Sequence, residues 1–280
     1  IDRSYRTESS RLGFYESQAN AVYEVEDWFG EMQGVTYQKH ITNLYNAVNE
    51  LTKNPTSTIA RSSLIQNAAA FIDRSEAIYS GLKDYQVTLN TEVNNMVEKI
   101  NSLGQRIYNL NKGIVKVEAA GVERANDLRD SRDLALDELS KYIDIDYYET
   151  KDGEVIVSAE NVPFITKNDI AKMSVREEGT YGLLIPQWEG YQQDVYNFDK
   201  QANNANDTDK GKLKGLLIAR GVIEVNYTDI PVMPERADYD LTTEQGMAEY
   251  NSAMDAYQQK QDYYNKYIEP SAILSAIAGF

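Results

Sequence analysis

The chain has 280 residues and 42% hydrophobic content, enough for a sizeable core in one large domain or two ordinary ones, which excludes a disordered polymer. Its 28 Lys and Arg against 44 Asp and Glu give a net charge of −16, so the average surface repels phosphate backbones and anionic membranes, and neither nucleic acid nor membrane is expected as a partner. The absence of cysteine rules out disulfides, zinc-thiolate sites and thiol nucleophiles, and suits export into oxidising surroundings.

The first expected helix runs from Arg11 to about Phe29, with Leu12, Tyr15, Ala19, Val22, Val25 and Phe29 at helical spacing and Gly30 and Gly34 bracketing a turn. A second spans Tyr37 to Leu51, with the stripe Ile41, Leu44, Tyr45, Val48 and Leu51, and is ended by Asn54-Pro55. A third starts at Thr56 or Ser57 as N-cap and ends near Ala119-Ala120-Gly121, where glycine suits a left-handed cap. Unbroken, its roughly 60 residues would span about 90 Å.

That third helix carries the strongest pattern in the chain. Leu89, Val93, Met96, Ile100, Leu103, Ile107, Leu110, Ile114 and Val117 alternate in steps of four and three, a heptad seam that needs a partner along one narrow stripe. Upstream, Ile78, Leu82 and Tyr85 extend the seam, with a stutter at Tyr85–Leu89–Val93. Gly81, Gly104 and Gly113 each cost about 1 kcal/mol relative to alanine, so packing must hold them in line or one marks a bend.

A fourth helix begins near Ala125-Asn126 and turns Leu128, Ala135, Leu136, Leu139 and Ile143 to one side, with Asp130, Asp133 and Asp137 opposite. From Ile145 to about Val195 the pattern becomes β: a hairpin of 144–147 and 154–157 around Lys151-Asp152-Gly153, then short strands at Val162–Ile165, Met173–Arg176 and Tyr181–Ile185. Gln201–Gly211 is a polar loop. Helix returns with Leu213, Leu216 and Leu217; Tyr227–Pro234 is an extended connection; Thr242–Tyr267 places Met247, Tyr250, Met254, Tyr257 and Tyr264 on a helical stripe. The expected fold is α+β: an elongated, mainly helical domain of long antiparallel, coiled-coil-like helices (1–143 and 212–280) with an inserted small β-rich domain (144–211). The longest apolar runs, 182–185 and 272–277, fall far short of the about 18 residues of a membrane span. A start at Ile1 without methionine and an apolar finish at Phe280 are expected of a piece cut from a longer protein.

Several segments in order resemble the flagellar hook-associated protein 1 family, known as FlgK: YRTESSRLGFYES, NPTSTIARSSLIQNAAAFIDRSEAIYSGL, ANDLRDSRDLALDELSKYIDI and GKLKGLLIARG, the third being the most distinctive. The resemblance covers nearly the whole chain, more loosely at 197–209 and in the tyrosine-rich helix near the end. It implies a secreted, non-enzymatic structural subunit of the extracellular bacterial flagellum, forming the hook–filament junction and serving its assembly and motility. The partners it implies are copies of itself in a junction ring, hook protein and hook-associated protein 3. The family's terminal helices, which line the channel and drive polymerisation, have no counterpart here, so the chain is expected to be monomeric or weakly associating.

The residues offer no catalytic, cofactor-binding or metal site. Asp127, Asp130, Asp133 and Asp137 read as a solvated helix face crossed by Arg124, Arg129 and Lys141, because metal ligands must converge from several elements. Arg132 lies among the apolar residues of the same helix and is expected to find a carboxylate within the chain. His40, the sole histidine, is given a surface or cap role; 207–211 is a turn without a calcium loop's glutamate; 211–215 lacks the order of a phosphate loop; and Trp188 is read as local core. Two other readings fit parts of the sequence: a secreted coiled-coil adhesin or effector fragment, and a carboxylate-dependent glycoside hydrolase. Neither explains the ordered motifs.

Overall fold

The computed structural model describes residues 2–30, 36–119, 124–180, 182–199, 202–225 and 227–278. The expected turn at Gly34, the cap at Ala120-Gly121, the strand start at Tyr181, Gln201 and the terminal Gly279-Phe280 lie outside them. Among the described residues, the α-helices are α1 (Asp2–Gly30), α2 (Tyr37–Lys53), α3 (Thr58–Glu118), α4 (Asn126–Tyr142), α5 (Lys212–Arg220), α6 (Glu244–Tyr263) and α7 (Ala272–Ala278). Six strands lie between α4 and α5: β1 (Ile145–Glu149), β2 (Val155–Ala159), β3 (Val162–Ile165), β4 (Met173–Glu178), β5 (Leu183–Trp188) and β6 (Gln193–Asp194). The α+β architecture is therefore mostly helical, with a small β insertion. The strands form two three-stranded antiparallel sheets, β1-β2-β3 and β4-β5-β6; β4 and β5 answer to the strands expected at 173–176 and 181–185, whereas β6 and the division into two sheets were not expected.

The chain divides into two compact units: Ile1–Asn20 with Thr88–Glu224, and Ala21–Val87 with Val225–Phe280. The first unit holds both sheets, α4, α5 and the heptad stretch of α3. Leu89, Val93, Met96, Ile100, Leu103, Ile107 and Ile114 are buried there, whereas Leu110 is half-buried and Val117 exposed. Strands as well as helix α4 flank this seam. The ring of Phe164 on β3 lies where a methyl group at Gly104 would be, Leu128 of α4 lies against Gly113, and Lys99 pairs with Glu138 of α4 at 2.7 Å. The two glycines leave room for apolar groups, which offsets their poor helix propensity.

The second unit contains α2, the first half of α3, α6 and α7. Thr36 caps α2 by accepting from the Lys39 amide, and Ser57 caps α3 by accepting from the Ala60 amide at 3.3 Å. Gly81 faces the indole of Trp28 as Gly104 faces Phe164. Tyr37 stacks on Phe71 with ring centroids 5.7 Å apart, joining the start of α2 to α3. The stripe expected through Tyr267 breaks at a π-turn, Tyr264–Ile268.

The first helix corrects its expected packing. Leu12, Tyr15 and Val22, read as its inner stripe, are exposed; the buried side consists of Arg6, Ser10, Gly13, Phe14, Ser17 and Ala21. Backbone proximity explains the reversal. A side chain at Gly13 would meet the Lys141 carbonyl, one at Gly215 would meet the Phe14 backbone, and Ser17 Oγ donates to the Lys212 carbonyl at 3.1 Å. Where backbones approach this closely only small residues fit, so Gly13 and Ser17 take the contact positions beside the buried Phe14, and Leu12, Tyr15 and Val22 are turned outward.

Candidate functional site

Asparagines on α3 fasten it to the strands. Asn111 Nδ2 donates to the Val155 carbonyl at 2.8 Å and its Oδ1 accepts from the Val155 amide at 3.0 Å. Asn101 makes the same pair of bonds with Met173. Asn90 donates to the Gly182 carbonyl and accepts from the Leu184 amide. Each side-chain amide thereby stands in for a neighbouring strand, satisfying backbone groups that would otherwise be buried without partners. Spacings of eleven and ten residues put all three on one side of the helix. That spacing was the available signal, and the periodicity of apolar residues alone does not register it.

Two buried guanidiniums lock the same unit. Arg132, 2% exposed, donates from Nη1 to Asn111 Oδ1 and the Gly153 carbonyl, and its Nη2 lies 3.3 Å from Glu149 Oε2. The intramolecular partner expected for it is thus Glu149 of β1. Burial lowers its pKa, against the pull of that carboxylate. Arg220, fully buried, donates to Asn90 Oδ1 and the Leu184 carbonyl, and burial pulls it down to about 10.

On the aspartate face of α4, Asp127, Asp130 and Asp133 are exposed, as expected of a solvated face. Asp137 departs from it: half-buried, it accepts from the buried Arg6 Nε at 2.6 Å and anchors α1, with the exposed Asp133 3.6 Å from Arg6 Nη2. Arg6 also stacks over Tyr147, 4.6 Å from the ring centroid. Arg129 pairs with Glu118 and Glu149, not with the aspartates of its own helix, and holds the Glu118 carboxyl down at about 2. The loop 207–211 docks on α1: Asp207 and the buried Asp209 flank Arg11, and Tyr15 Oη donates to Asp209 at 2.8 Å. Trp188 is fully buried beside Phe164, and His40 lies half-buried in the first turn of α2.

One acid is strongly perturbed. Glu160, in the β2–β3 turn, is pushed up to about 7 by burial, opposed by Lys214 at 3.5 Å, with Asp144 adding to the rise. Tyr196, whose ring lies 5.3 Å from Lys214 Nζ, is raised well above its usual value by the same burial. These groups are enclosed by protein and matched with lysines, an arrangement that holds elements together. Among the described residues, no three or more His, Asp or Glu side chains are placed to hold a metal ion, and no helix is long and apolar enough to cross a membrane.

The outer surface is unusual in its apolar helix faces. In the first unit Tyr5, Leu12 and Tyr15 are exposed, and Tyr5 and Leu12 line an open groove of about 430 Å³ with Glu8, Glu16, Lys141, Tyr142 and Lys212. In the second, Ile41, Tyr45 and Val48 of α2 and Ile65, Ile72 and Tyr79 of α3 are exposed, the last three at intervals of seven. Such rows are the usual seams between packed helices.

The family model of the flagellar hook-associated protein FlgK helical domain matches residues 22–252. Flagellar hook-associated protein 1 of Bacillus subtilis is 27% identical over 244 residues, 84% of this chain and 48% of the relative. Its Salmonella typhimurium counterpart is 26% identical over 107 residues, 38% of this chain and 19% of the relative. The chain thus spans about half the length of the Bacillus protein. The flagellar hook junction protein FlgK from Burkholderia pseudomallei shares the fold, with a TM-score of 0.58 at 20% identity over 78% of this chain and 38% of that one. The chain belongs to the FlgK family, and the match lies in that family's helical domain.

Proposed function

We propose that the chain is part of a structural subunit of the hook–filament junction of the bacterial flagellum, outside the cell, where it works by packing and not by chemistry. The observation that carries this reading is the outward placement of apolar helix rows on α1, α2 and α3, surfaces a monomer does not need and an assembly does. Family membership supplies the flagellar context. The neighbours are further copies in a ring, with hook protein on one side and hook-associated protein 3 on the other. Many weak helix contacts repeated around a ring suffice for cohesion. The β-bearing segment 144–211 acts as an insert in this helical domain, clamped by the asparagines of α3.

Gold-labelled antibody raised against the chain, applied to intact flagella of the source organism, tests the assignment. Label is expected at the boundary of hook and filament. Label spread along the filament, or confined to the cell body, contradicts it.

A further inference from the structure

The connection between α5 and α6 exposes two large apolar residues on a prolyl frame. In Ile230-Pro231-Val232-Met233-Pro234-Glu235 each proline ring fixes its own φ, and Ile230 and Met233, each preceding a proline, are pushed away from helical backbone. Glu235, at φ −80° and ψ 128°, closes the stretch in the same extended form, close to polyproline II. Residues 231–235 form neither helix nor strand, and among the described residues no backbone hydrogen bond is made by 231–234. At three residues per turn Pro231 and Pro234 share one face, and both are half-buried. Val232 and Met233 take the other two faces and are 79% and 60% exposed.

Both ends of this strap are tied to α6. Lys260 Nζ donates to the Thr228 carbonyl at 3.2 Å on one side. On the other, Arg236 lies over the Tyr250 ring, 5.8 Å from its centroid, and Tyr239 meets the same ring edge-on with centroids 5.4 Å apart. A segment fixed at both ends and bare in the middle has little conformational freedom left to lose on binding.

Backbone and charge decide what fits there. A sheet edge does not: on an extended chain the N–H groups of one side lie two residues apart, so prolines three residues apart interrupt both sides. Aromatic rings do, because they receive extended prolyl segments and gain from contact with the Met233 thioether. Within 229–240 the acids Asp229, Glu235, Asp238 and Asp240 outnumber the single Arg236, so the rim that suits the strap is basic. A second copy, at −16 overall, is poorly matched in charge.

We infer that residues 231–234 are a docking strap for a different protein, which receives Val232 and Met233 in a groove lined by aromatic side chains and rimmed by lysine or arginine. The strap is separate from the helix rows of the junction reading and does not depend on them.

Photo-cross-linking in the full-length protein tests this. The photoreactive residue p-benzoylphenylalanine replaces Val232 in one variant and Met233 in another, both exposed enough to carry it. Flagellated cells of the source organism are irradiated, and adducts are mapped to single residues by mass spectrometry. The adduct is expected on another protein, inside a cluster of aromatic residues bordered by lysine or arginine. A synthetic peptide of residues 228–238 is expected to compete. The same peptide with Pro231→Ala and Pro234→Ala is expected to compete about tenfold more weakly, because its chain is no longer held extended before binding. Absence of an adduct from both variants overturns the proposal. So does an adduct on a second copy of this chain or on a surface without aromatic residues, and so does equal competition by the two peptides. None of these results moves the position of antibody label on the flagellum, so the junction reading is judged separately.

Discussion

Asn101 and Met173 exchange two hydrogen bonds, Nδ2 donating to the Met173 carbonyl at 2.8 Å and the Met173 amide donating to Oδ1 at 2.9 Å, so that a helix side chain does the work of a strand. Asn111 and Val155 repeat the relation in a buried setting. Asn111→Ala leaves both Val155 groups without partners and is expected to lower unfolding stability by about 3 kcal/mol. Urea denaturation measures this; a loss below about 0.5 kcal/mol would show that the pairing is incidental.

Arg132 uses the planar fork of its guanidinium, reaching Asn111, Gly153 and Glu149 together. Arg132→Ala is expected to cost about 3 kcal/mol, and Arg132→Lys to recover little of it, because an ammonium cannot span the same acceptors. Thermal unfolding checks both variants. Full rescue by lysine would mean that charge alone matters.

Helix propensity and packing make opposite forecasts at Gly104. Propensity favours Gly104→Ala by about 1 kcal/mol. The added methyl would overlap the Phe164 ring, and overpacking costs about 1 to 3 kcal/mol. Destabilisation is expected, accompanied by a change in near-ultraviolet circular dichroism as Phe164 moves against Trp188.

The pH profile follows from two acids shifted in opposite directions. Glu160 titrates near 7 in the folded chain against an ordinary 4.5, so between these values the folded state keeps a proton that the unfolded state has released. Its contribution is complete below pH 4.5 and is lost as pH rises through 7, by an amount on the order of 3 kcal/mol. Glu118, held near 2 by Arg129, contributes above pH 4.5 and loses that contribution as pH falls toward 2. Glu160→Gln is expected to remove the decline between pH 5 and 8 relative to the native chain. Parallel stability profiles for the two proteins would contradict the assignment.

Much of the fold is legible in the sequence where one signal dominates. The seam of α3, the face of α4 with Arg132 at its centre, the hairpin turn at Gly153 and the polar loop before α5 all follow from periodicity and turn chemistry. Polar residues that act as apolar ones would are not legible in this way. Asn90, Asn101 and Asn111 look like solvent-facing positions until the strands they serve are in place, and Asp137 looks fully solvated until Arg6 arrives from more than a hundred residues away. The stripe of α1 shows a different limit. Its spacing marks a packing surface, but spacing does not say whether the partner belongs to the same chain, and the glycine and serine contacts of its other face settle the matter.

Thiol accessibility on intact flagella tests the central claim most directly. In full-length protein with a single cysteine at Leu12→Cys or Tyr45→Cys, maleimide is expected to label the free subunit and to be excluded once the subunit is built into the junction. Glu50→Cys is expected to react in both states. Equal labelling of Leu12→Cys and Tyr45→Cys before and after assembly would show that the outward apolar faces meet no neighbour and would contradict the account.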